Sequence, residues 1–380
     1  MMKKIHVALV GLGFGGAFAE IYRDHPHVSE VSLYDADPAV TDRVSLACGI
    51  SKRHASFEAV LADDTVDAVH LVTPIPLHEA QTVQMLDAGK HCACTVPMAL
   101  SLEGVGHIVQ AVERSGKNYM MMETALYTRP FLHAWQLLKV GRFGRIQFLR
   151  GSHYQDMANW PAYWNGLPPM HYGTHAIAPL VALAESRIRR VCGFGSGTMR
   201  QALVEAYGNP YPVECAVLDF DNGLKAEVTR SLFETARTYQ EGFSVYGSEA
   251  SFEWGHADED APLLTTPLPQ NGQQRGRNFR VETLKVPNWH HTLPEPLQRY
   301  TVGGAFDPLN PQDSLLQGAG GGHHGSHPHL VHEFVMSIVE NRKPHIDEHL
   351  GGNITAAGIC AHTSAMRQGE PVDVPLFVPG

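Results

Sequence analysis

The first glycine-rich segment, residues 5–16, constrains the fold more than any other part of the sequence. Six mostly apolar residues, suited to a buried strand, lead into a Gly-x-Gly-x-x-Gly motif, and the next six residues favour a helix. This order is typical of dinucleotide sites, where glycines let the backbone approach a pyrophosphate at a helix N-terminus. We therefore predict that the cofactor contacts Gly11, Gly13, Phe14, Gly15 and Gly16.

The second apolar segment, residues 31–34, ends at Asp35. This is about the distance from the glycines at which an acidic side chain accepts hydrogen bonds from a ribose 2′-hydroxyl. A carboxylate there repels a 2′-phosphate, and no Arg or Lys follows directly. The sequence therefore predicts NAD rather than NADP as the cofactor.

Alternating strand and helix patterns over residues 1–122 predict an α/β fold with a doubly wound parallel sheet, the Rossmann architecture. Ligands of such sheets lie beyond the carboxyl ends of the strands. We therefore expect further cofactor contacts from the residues that follow the strands and from the start of one helix: Thr73, Pro74, His78, Thr95, Val96, Pro97 and Glu123.

The pattern changes at residue 123, where long β-patterned runs begin. The turn Asp221-Asn222-Gly223 joins two alternating runs and indicates a hairpin, hence antiparallel pairing. Residues 123–380 are therefore predicted to form an α+β domain with an open, largely antiparallel sheet that binds substrate and forms oligomers. Residues 255–329 are expected to be long loops, followed by helices over 328–341 and 353–367.

Composition narrows the classes of function. The 380 residues carry a net charge of -10, which makes nucleic acid an unfavourable partner. The six cysteines show neither zinc-ligand nor disulfide spacing, and the sequence contains no apparent signal peptide or membrane span, so we expect a cytoplasmic protein. The 23 histidines are an unusually high number.

These motifs together resemble the Gfo/Idh/MocA family of NAD(P)-dependent sugar oxidoreductases, over essentially the whole chain. Where most of that family has Glu-Lys-Pro, this chain has Thr95-Val96-Pro97, and the family's Asp-x-x-x-His motif is represented by His171 and His175. The resemblance implies a lysine near the reacting carbon, and that lysine is missing here. A simple dehydrogenase would be expected to keep it.

Where the sequence differs from the usual family pattern, it resembles one branch of the family, the NAD-dependent glycoside hydrolases of the α-N-acetylgalactosaminidase and sulfoquinovosidase type. The matching features are Val96 before proline, Met122-Glu123 with Tyr127, Tyr172-x-Thr174-His175 followed by Pro179, and the glycine–histidine segment 320–325. The resemblance implies hydrolysis by transient oxidation at C3, elimination across C1 and C2, addition of water and re-reduction. Such a cycle consumes no NAD.

This chemistry requires bases for the C3 hydroxyl and the C2 proton and an acid for the leaving group. We assign the C3 base to His175, because an imidazole titrates near the working pH, and place Tyr172 on the same face. Glu123 and Tyr127 are candidates for proton transfer at the leaving group. The branch places a tyrosine base near His153-Tyr154, which makes Tyr154 a candidate, although adjacent strand residues face opposite sides.

Substrate contacts are predicted at aromatic and histidine side chains. Trp160 and Trp164 are equally suited to stacking on a sugar and to packing in a core. The other candidates are His153, His171, His323 and His324. His171 and His175 have the i,i+4 spacing of a metal pair but no glutamate between them, so we expect no metal.

Two other functions remain open from the sequence: an ordinary sugar or polyol dehydrogenase that releases NADH, and a non-catalytic NAD-binding sensor. Val96 in place of lysine favours the hydrolase over the dehydrogenase. The sugar is not determined; an anionic sugar could meet Arg129, Arg145 or Arg150. An open sheet also suggests a homodimer or homotetramer.

Asp35→Ala is expected to weaken NAD binding and to relax discrimination against NADP, because it removes both a ribose acceptor and a repulsive charge. Titration of the purified protein with each cofactor measures both effects. An unchanged affinity for NAD would show that the cofactor assignment at this strand is wrong.

Overall fold

The computed structural model describes residues 4–255, 260–270, 272, 275–303 and 322–377. The chain divides into two compact units. Unit 1 is drawn from Met1–Thr128, Asn288–Gly352 and Leu376–Gly380, and unit 2 from Arg129–Pro287 and Asn353–Pro375.

Unit 1 begins with five strands connected by five helices, two of which lie between the second and third strands. The strands are β1 (Ile5–Val10), β2 (Val28–Tyr34), β3 (Ala68–Leu71), β4 (His91–Cys94) and β5 (Tyr119–Met121). The helices are α1 (Gly16–Asp24), α2 (Pro38–Cys48), α3 (Phe57–Ala62), α4 (His78–Asp87) and α5 (Leu102–Ser115). Turns of 3-10 helix lie at Ile75–Leu77 and Thr124–Leu126.

The five strands form one parallel sheet in the order β2-β1-β3-β4-β5. Strand β1 lies between β2 and β3, with Val7 paired to both Val31 and Ala68, and all six of its residues are buried. A parallel strand covered on both faces needs such an apolar sequence. The predicted doubly wound sheet is confirmed.

Unit 2 contains α6 (Arg129–Lys139), α7 (Thr174–Ala184) and α8 (Gln201–Tyr207). Its strands before residue 288 are β6 (Ile146–Tyr154), β7 (Ile188–Ser196), β8 (Val213–Phe220), β9 (Lys225–Ser231), β10 (Gln240–Gly247), β11 (Ser251–Trp254), β12 (Leu263–Pro267) and β13 (Phe279–Thr283). Turns of 3-10 helix lie at Ala162–Trp164 and Pro169–Tyr172.

The chain then returns to unit 1, where it forms α9 (Glu295–Gln298), the four-residue element α10 (Gly322–Gly325) and α11 (His327–Val339), with 3-10 turns at His290–Thr292 and Arg299–Thr301. Helix α11 packs against α1, and the ring nitrogens His25 Nε2 and His332 Nδ1 lie 3.0 Å apart. The sequence-based boundaries, 1–122 and 123–380, differ from this division because contacts so distant in sequence leave no local pattern.

The long helix α12 (Glu348–Met366) and the short strand β14 (Val372–Asp373) end the described chain. The unit 2 sheet has the order β13-β12-β11-β10-β6-β9-β8-β7-β14. All its pairs are antiparallel except β6 with β9. The largely antiparallel sheet and the β8–β9 hairpin are therefore confirmed, whereas β12 and β13 lie in a region that we expected to be loops.

No helix in the described ranges combines the length and apolar character required to cross a bilayer.

Helix α7 packs across β6, β9 and β10 in the middle of the unit 2 sheet. It approaches β6 so closely that a Cβ atom on Gly151 would lie 2.1 Å from the carbonyl oxygen of Ala176. Position 151 therefore requires glycine, because the absence of a Cβ atom allows α7 to lie this close to the central strand.

Gly151→Ala is expected to destabilise the protein by about 1–3 kcal/mol, because helix or strand must shift to admit the methyl group. Chemical unfolding measures the change. Gly106→Ala in α5 is the matched control: no atom lies within 4 Å of a Cβ there. Alanine is also favoured over glycine in a helix by about 1 kcal/mol. Equal destabilisation of the two variants would contradict the close-approach argument.

Candidate functional site

The glycine loop of unit 1 has the geometry of a pyrophosphate cradle. Gly11 has a φ of 85°, and a Cβ on it would lie 2.4 Å from the Val72 carbonyl oxygen. A Cβ on Gly15 would lie 2.0 Å from the Gly11 carbonyl oxygen, whereas the Cβ position of Gly13 is open. No described side chain caps the N-terminus of α1. The loop thus leaves room beside a positive helix end, which fits a dinucleotide.

Asp35 lies where β2 ends, and its carboxylate braces the glycine loop. One carboxylate oxygen accepts a hydrogen bond from the Leu12 N–H at 2.6 Å, and the other accepts one from the Asp37 N–H at 2.9 Å. Each carboxylate oxygen has a second lone pair. The side chain can therefore accept a ribose hydroxyl while it holds the loop.

The loops after β3 and β4 are joined by His78, which is fully buried at the start of α4. Its Nδ1 lies 2.7 Å from the Pro97 carbonyl oxygen, and its Nε2 lies 2.9 Å from that of Thr73. The Thr95 hydroxyl donates to the Leu71 carbonyl at 3.4 Å, and Thr73 donates to Gln81 at 2.6 Å. His78 therefore positions the predicted cofactor loops.

After β5, Glu123 and Tyr127 flank a 3-10 turn. Glu123 is fully buried, and its Oε1 accepts a hydrogen bond from the Ala125 N–H at 3.0 Å. The Tyr127 ring stacks on His329 with centroids 6.4 Å apart, and its hydroxyl lies 3.5 Å from His345 Nδ1. Burial raises the pKa of Tyr127 well above its usual range. A neutral tyrosine that can donate a proton is the expected state.

The histidine segment of unit 1 packs against the glycine loop. The Phe14 ring lies 6.1 Å from His323 and 5.6 Å from His327, and Phe18 lies 4.5 Å from His327, between ring centroids. His323 and His324 have φ of 46° and 52°, which is uncommon outside glycine. The structure thus places His323 near the predicted cofactor loop, while Gly320 and Gly321 lie outside the described residues.

Unit 2 gathers a second group of polar side chains under α7. His153 on β6 pairs across the sheet with Glu241 on β10 and with Arg230 on β9, so the three share a face. His175 in α7 lies above them, with its ring centroid 5.1 Å from that of His153. His153, His175, Arg230 and Glu241 are at most 4% exposed.

Two tyrosines complete this group. The Tyr172 hydroxyl lies 3.4 Å from His175 Nε2. Tyr239 donates its hydroxyl hydrogen to Glu241 Oε1, and its ring lies 5.1 Å from that of His153. Burial raises the pKa of Tyr239 well above its usual range, and the Glu241 charge adds to the effect. We call His153, Tyr172, His175, Arg230, Tyr239 and Glu241 the polar cluster.

Arg230 holds the polar cluster in place rather than presenting a free charge. It donates to the carbonyl oxygens of Tyr172 at 2.8 Å, His153 at 3.1 Å and Ser231 at 2.6 Å, and also to Gln155. Burial lowers the pKa of Arg230 to about 10, which leaves it protonated at neutral pH. The arginine therefore ties β6 and β9 to the turn that carries Tyr172.

The structure separates the two members of the His153-Tyr154 pair. His153 belongs to the polar cluster, whereas Tyr154 faces the other side of the sheet, where the Arg237 guanidinium lies 5.7 Å from its ring. Arg150 also lies on that face and is paired with Glu227. Neither Tyr154 nor Arg150 is placed to act with His175.

The two tryptophans differ in exposure. Trp164 is 5% exposed and packs edge-on against Tyr172, with ring centroids 4.7 Å apart, so it forms a wall of the polar cluster. Trp160 is 46% exposed and packs on Trp164 at 5.6 Å. The structure therefore places the tryptophan side chains in a chain of aromatic contacts leading to Tyr172.

His171 does not act with His175. It precedes α7 in a 3-10 turn and packs edge-on against His362, with ring centroids 5.1 Å apart. His362 Nδ1 lies 2.6 Å from Glu214 Oε1, and the Met170 N–H donates to Glu214 Oε2 at 2.8 Å. Helix α7 begins only at Thr174, so His171 and His175 do not lie on a common helix face.

Sequence reasoning missed Arg230, Tyr239 and Glu241. The β-patterned run in the sequence is apparent only from Phe243, but β10 begins at Gln240, so Glu241 falls outside that run. One signal for Arg230 was available in the sequence. It is a charged residue of an alternating strand, at a position that faces the core. Their proximity to His153 depends on strand order, which the local pattern does not contain.

Comparison with known proteins gives a consistent result for both units. A model of the Gfo/Idh/MocA oxidoreductase family, described as an NAD-binding Rossmann fold, matches residues 5–123. A model of the GFO/IDH/MocA C-terminal domain matches residues 131–253. Together they cover more than half of the chain, and the NAD-binding domain predicted from the glycine motif is confirmed.

Two curated relatives have different activities. A 1-carboxy-3-chloro-3,4-dihydroxycyclohexa-1,5-diene dehydrogenase from Comamonas testosteroni is 25% identical over 253 residues, covering 63% of this chain and 59% of that protein. An alpha-N-acetylgalactosaminidase from Shewanella oneidensis is 24% identical over 262 residues, covering 62% and 56%. The matches thus span less than two thirds of either relative.

The fold is shared with a solved levoglucosan dehydrogenase in complex with NADH and levoglucosan. The TM-score is 0.78 at 20% identity, over 98% of this chain and 100% of the other. At this identity the likeness establishes the fold alone.

Four buried histidines of unit 1 make stability depend on pH. Desolvation lowers the pKa values of His25, His70, His327 and His329 to about 3. Between the ordinary value of 6.5 and about 3, the unfolded chain binds protons that the folded chain does not. Stability is therefore full above pH 6.5 and falls on acidification, by up to about 1.4 kcal/mol per pH unit for each histidine.

His327→Phe should reduce the number of protons taken up on unfolding by about one, which makes the slope of the unfolding free energy against pH smaller. Phenylalanine keeps the packing on Phe18 but does not titrate. Urea unfolding of the wild type and the variant between pH 7.5 and about 5 measures the two slopes. Identical slopes would contradict the assignment of a neutral, buried His327.

Proposed function

The chain belongs to the Gfo/Idh/MocA oxidoreductase family, and from that premise we propose that it is an NAD-dependent, redox-neutral glycoside hydrolase of small glycosides. The observation that carries the proposal is the polar cluster of unit 2. It brings two imidazoles, two phenols and a carboxylate together under one helix. A reaction with several proton transfers needs several such groups, whereas an alcohol oxidation needs one base.

NAD fits the glycine loop of unit 1 through the open Cβ position of Gly13, the end of α1, which no described side chain caps, and the acceptor oxygens of Asp35. When bound, it would supply the oxidation of the sugar carbon and its later re-reduction. Glu123 and Tyr127, at the end of β5, are proposed to exchange protons with the leaving group, since burial keeps Tyr127 protonated.

Tyr172 and His175 are proposed to remove the proton of the C3 hydroxyl. Their O–Nε2 distance of 3.4 Å allows a proton to pass between them with a small movement of the phenol ring. His153 and the Tyr239–Glu241 pair are proposed to handle the proton at C2 and the later addition of water. Trp164 packs on Tyr172 and would exclude bulk water from this side.

Val96 supports the choice of hydrolysis over oxidation. Its side chain is apolar and 6% exposed, so it cannot take a proton from an alcohol as a lysine could. The alpha-N-acetylgalactosaminidase relative points the same way. An N-acetylhexosaminide is therefore the first substrate to test.

A sugar or polyol dehydrogenase is the second candidate. The dehydrogenase activity of the Comamonas relative favours it. The two candidates differ in their products, since only a dehydrogenase accumulates NADH and leaves the glycosidic bond intact.

Proton NMR in deuterated water, with NAD and a panel of glycosides, separates the candidates. The hydrolase should release free sugar carrying deuterium at C2, without net NADH, because the C2 proton exchanges during elimination. Stoichiometric NADH with an intact glycoside would establish the dehydrogenase. No reaction on any glycoside or polyol, with NAD bound, would support a sensor.

His175→Ala should lower turnover by about 10²–10⁴-fold, the usual contribution of a general base, while NAD affinity stays unchanged. His107→Ala is the matched control, because His107 is exposed on α5 and paired with Glu79. Wild-type turnover by His175→Ala would remove this histidine from the mechanism.

A further inference from the structure

Three members of the polar cluster are arranged as ligands of a metal ion. His153, His175 and Glu241 each offer one ligand atom, and these atoms all lie within 4.8 Å of one another. Nitrogen and oxygen ligands about 2.1 Å from a tetrahedral zinc ion lie about 3.4 Å apart. Side-chain movements of about 1 Å would therefore complete the coordination.

We propose that His153, His175 and Glu241 bind one divalent first-row transition metal ion. Two imidazoles and one carboxylate are the donor set of open zinc sites and of related iron sites, with positions left for water or substrate oxygen. Mg²⁺ and Ca²⁺ prefer oxygen donors, so the two imidazoles select against them. Zn²⁺ is the best match, and Co²⁺ is its spectroscopic substitute.

The three ligands come from rigid elements. His153 and Glu241 are cross-strand partners in the centre of the sheet, and His175 is in the first turn of a helix that is packed directly on Gly151. A site held by a sheet and a docked helix loses little conformational entropy when it binds an ion. This preorganisation favours affinity.

Neighbouring groups hold two of the ligands in place. Tyr239 donates a hydrogen bond to Glu241 Oε1, which orients the carboxylate. Arg230 Nη1 donates to the His153 carbonyl oxygen at 3.1 Å, which fixes the strand beneath the imidazole. Such partners of metal ligands commonly change affinity by about 10–100-fold.

The proposed site departs from the expectation of no metal, and it does not include His171. His171 packs on His362 instead, and His153 and Glu241 take the remaining ligand positions. The three residues are separated by 22 and 66 positions in the chain, so no spacing motif could indicate them.

The metal proposal goes beyond the proposed function and does not depend on it. A bound ion would polarise a substrate oxygen. It would also engage His153, Glu241 and one nitrogen of His175, so these ligand atoms would not carry protons while the ion is bound. Proton transfer from the hydroxyl would then pass to Tyr172. Metal binding is measured without substrate, so it is decided separately from hydrolysis or oxidation.

Binding of Zn²⁺ to the chelator-treated full-length protein, measured by calorimetry and by competition with a chromogenic chelator, tests the proposal. The wild type should bind one equivalent tightly, and Glu241→Gln and His153→Ala should each weaken binding by at least about 100-fold. His362→Gln is the matched control, since it removes a histidine of the neighbouring His171–His362–Glu214 group.

Absence of a tight equivalent in the wild type, or equal binding by Glu241→Gln and His362→Gln, would overturn the proposal. NAD binding and circular dichroism verify that each variant is folded. If a variant fails to fold, X-ray absorption of the wild type with one equivalent of Zn²⁺ decides the matter. Two imidazoles with oxygen ligands are expected, and any other ligand set refutes the site.

Discussion

The contact between α7 and β6 at Gly151 is the constraint on which the unit 2 site depends. The Ala176 carbonyl oxygen occupies the place of a side chain at 151, so the helix lies directly on the central strand. The residue before Ala176 in the helix is His175, and the residue two places after Gly151 on the same face is His153. One missing Cβ atom therefore brings the two imidazoles together.

Burial of this much polarity requires compensation. Arg230 is fully buried, and four of its five donors bond to three carbonyl oxygens and to Gln155. Glu241 accepts from Tyr239. An unsatisfied charge at either position would cost several kcal/mol. The same hydrogen bonds that stabilise these buried charges also hold the backbone of Tyr172 and His153 in place.

Unit 1 uses its histidines differently. His70 and His327 pack among Phe14, Phe18 and Tyr22 as neutral aromatic rings. His78 lies between two cofactor loops, with a carbonyl oxygen within 2.9 Å of each ring nitrogen. The large number of histidines in the sequence thus has at least three structural meanings: packing, bracing of loops and the proposed proton or metal chemistry. Composition alone could not distinguish these roles, because each depends on what surrounds the ring.

The sequence by itself determined the cofactor half of this protein. The glycine spacing, the apolar strands and Asp35 are local features, and each maps onto one turn or strand end whose geometry the backbone dictates. Only the tertiary structure decided three other features. They are the strand register that sets Glu241 and Arg230 beside His153, the close packing of α7 on β6, and the return of residues 288–352 to unit 1. These are contacts between distant segments, fixed by the packing of whole elements, and no local pattern of residues encodes them.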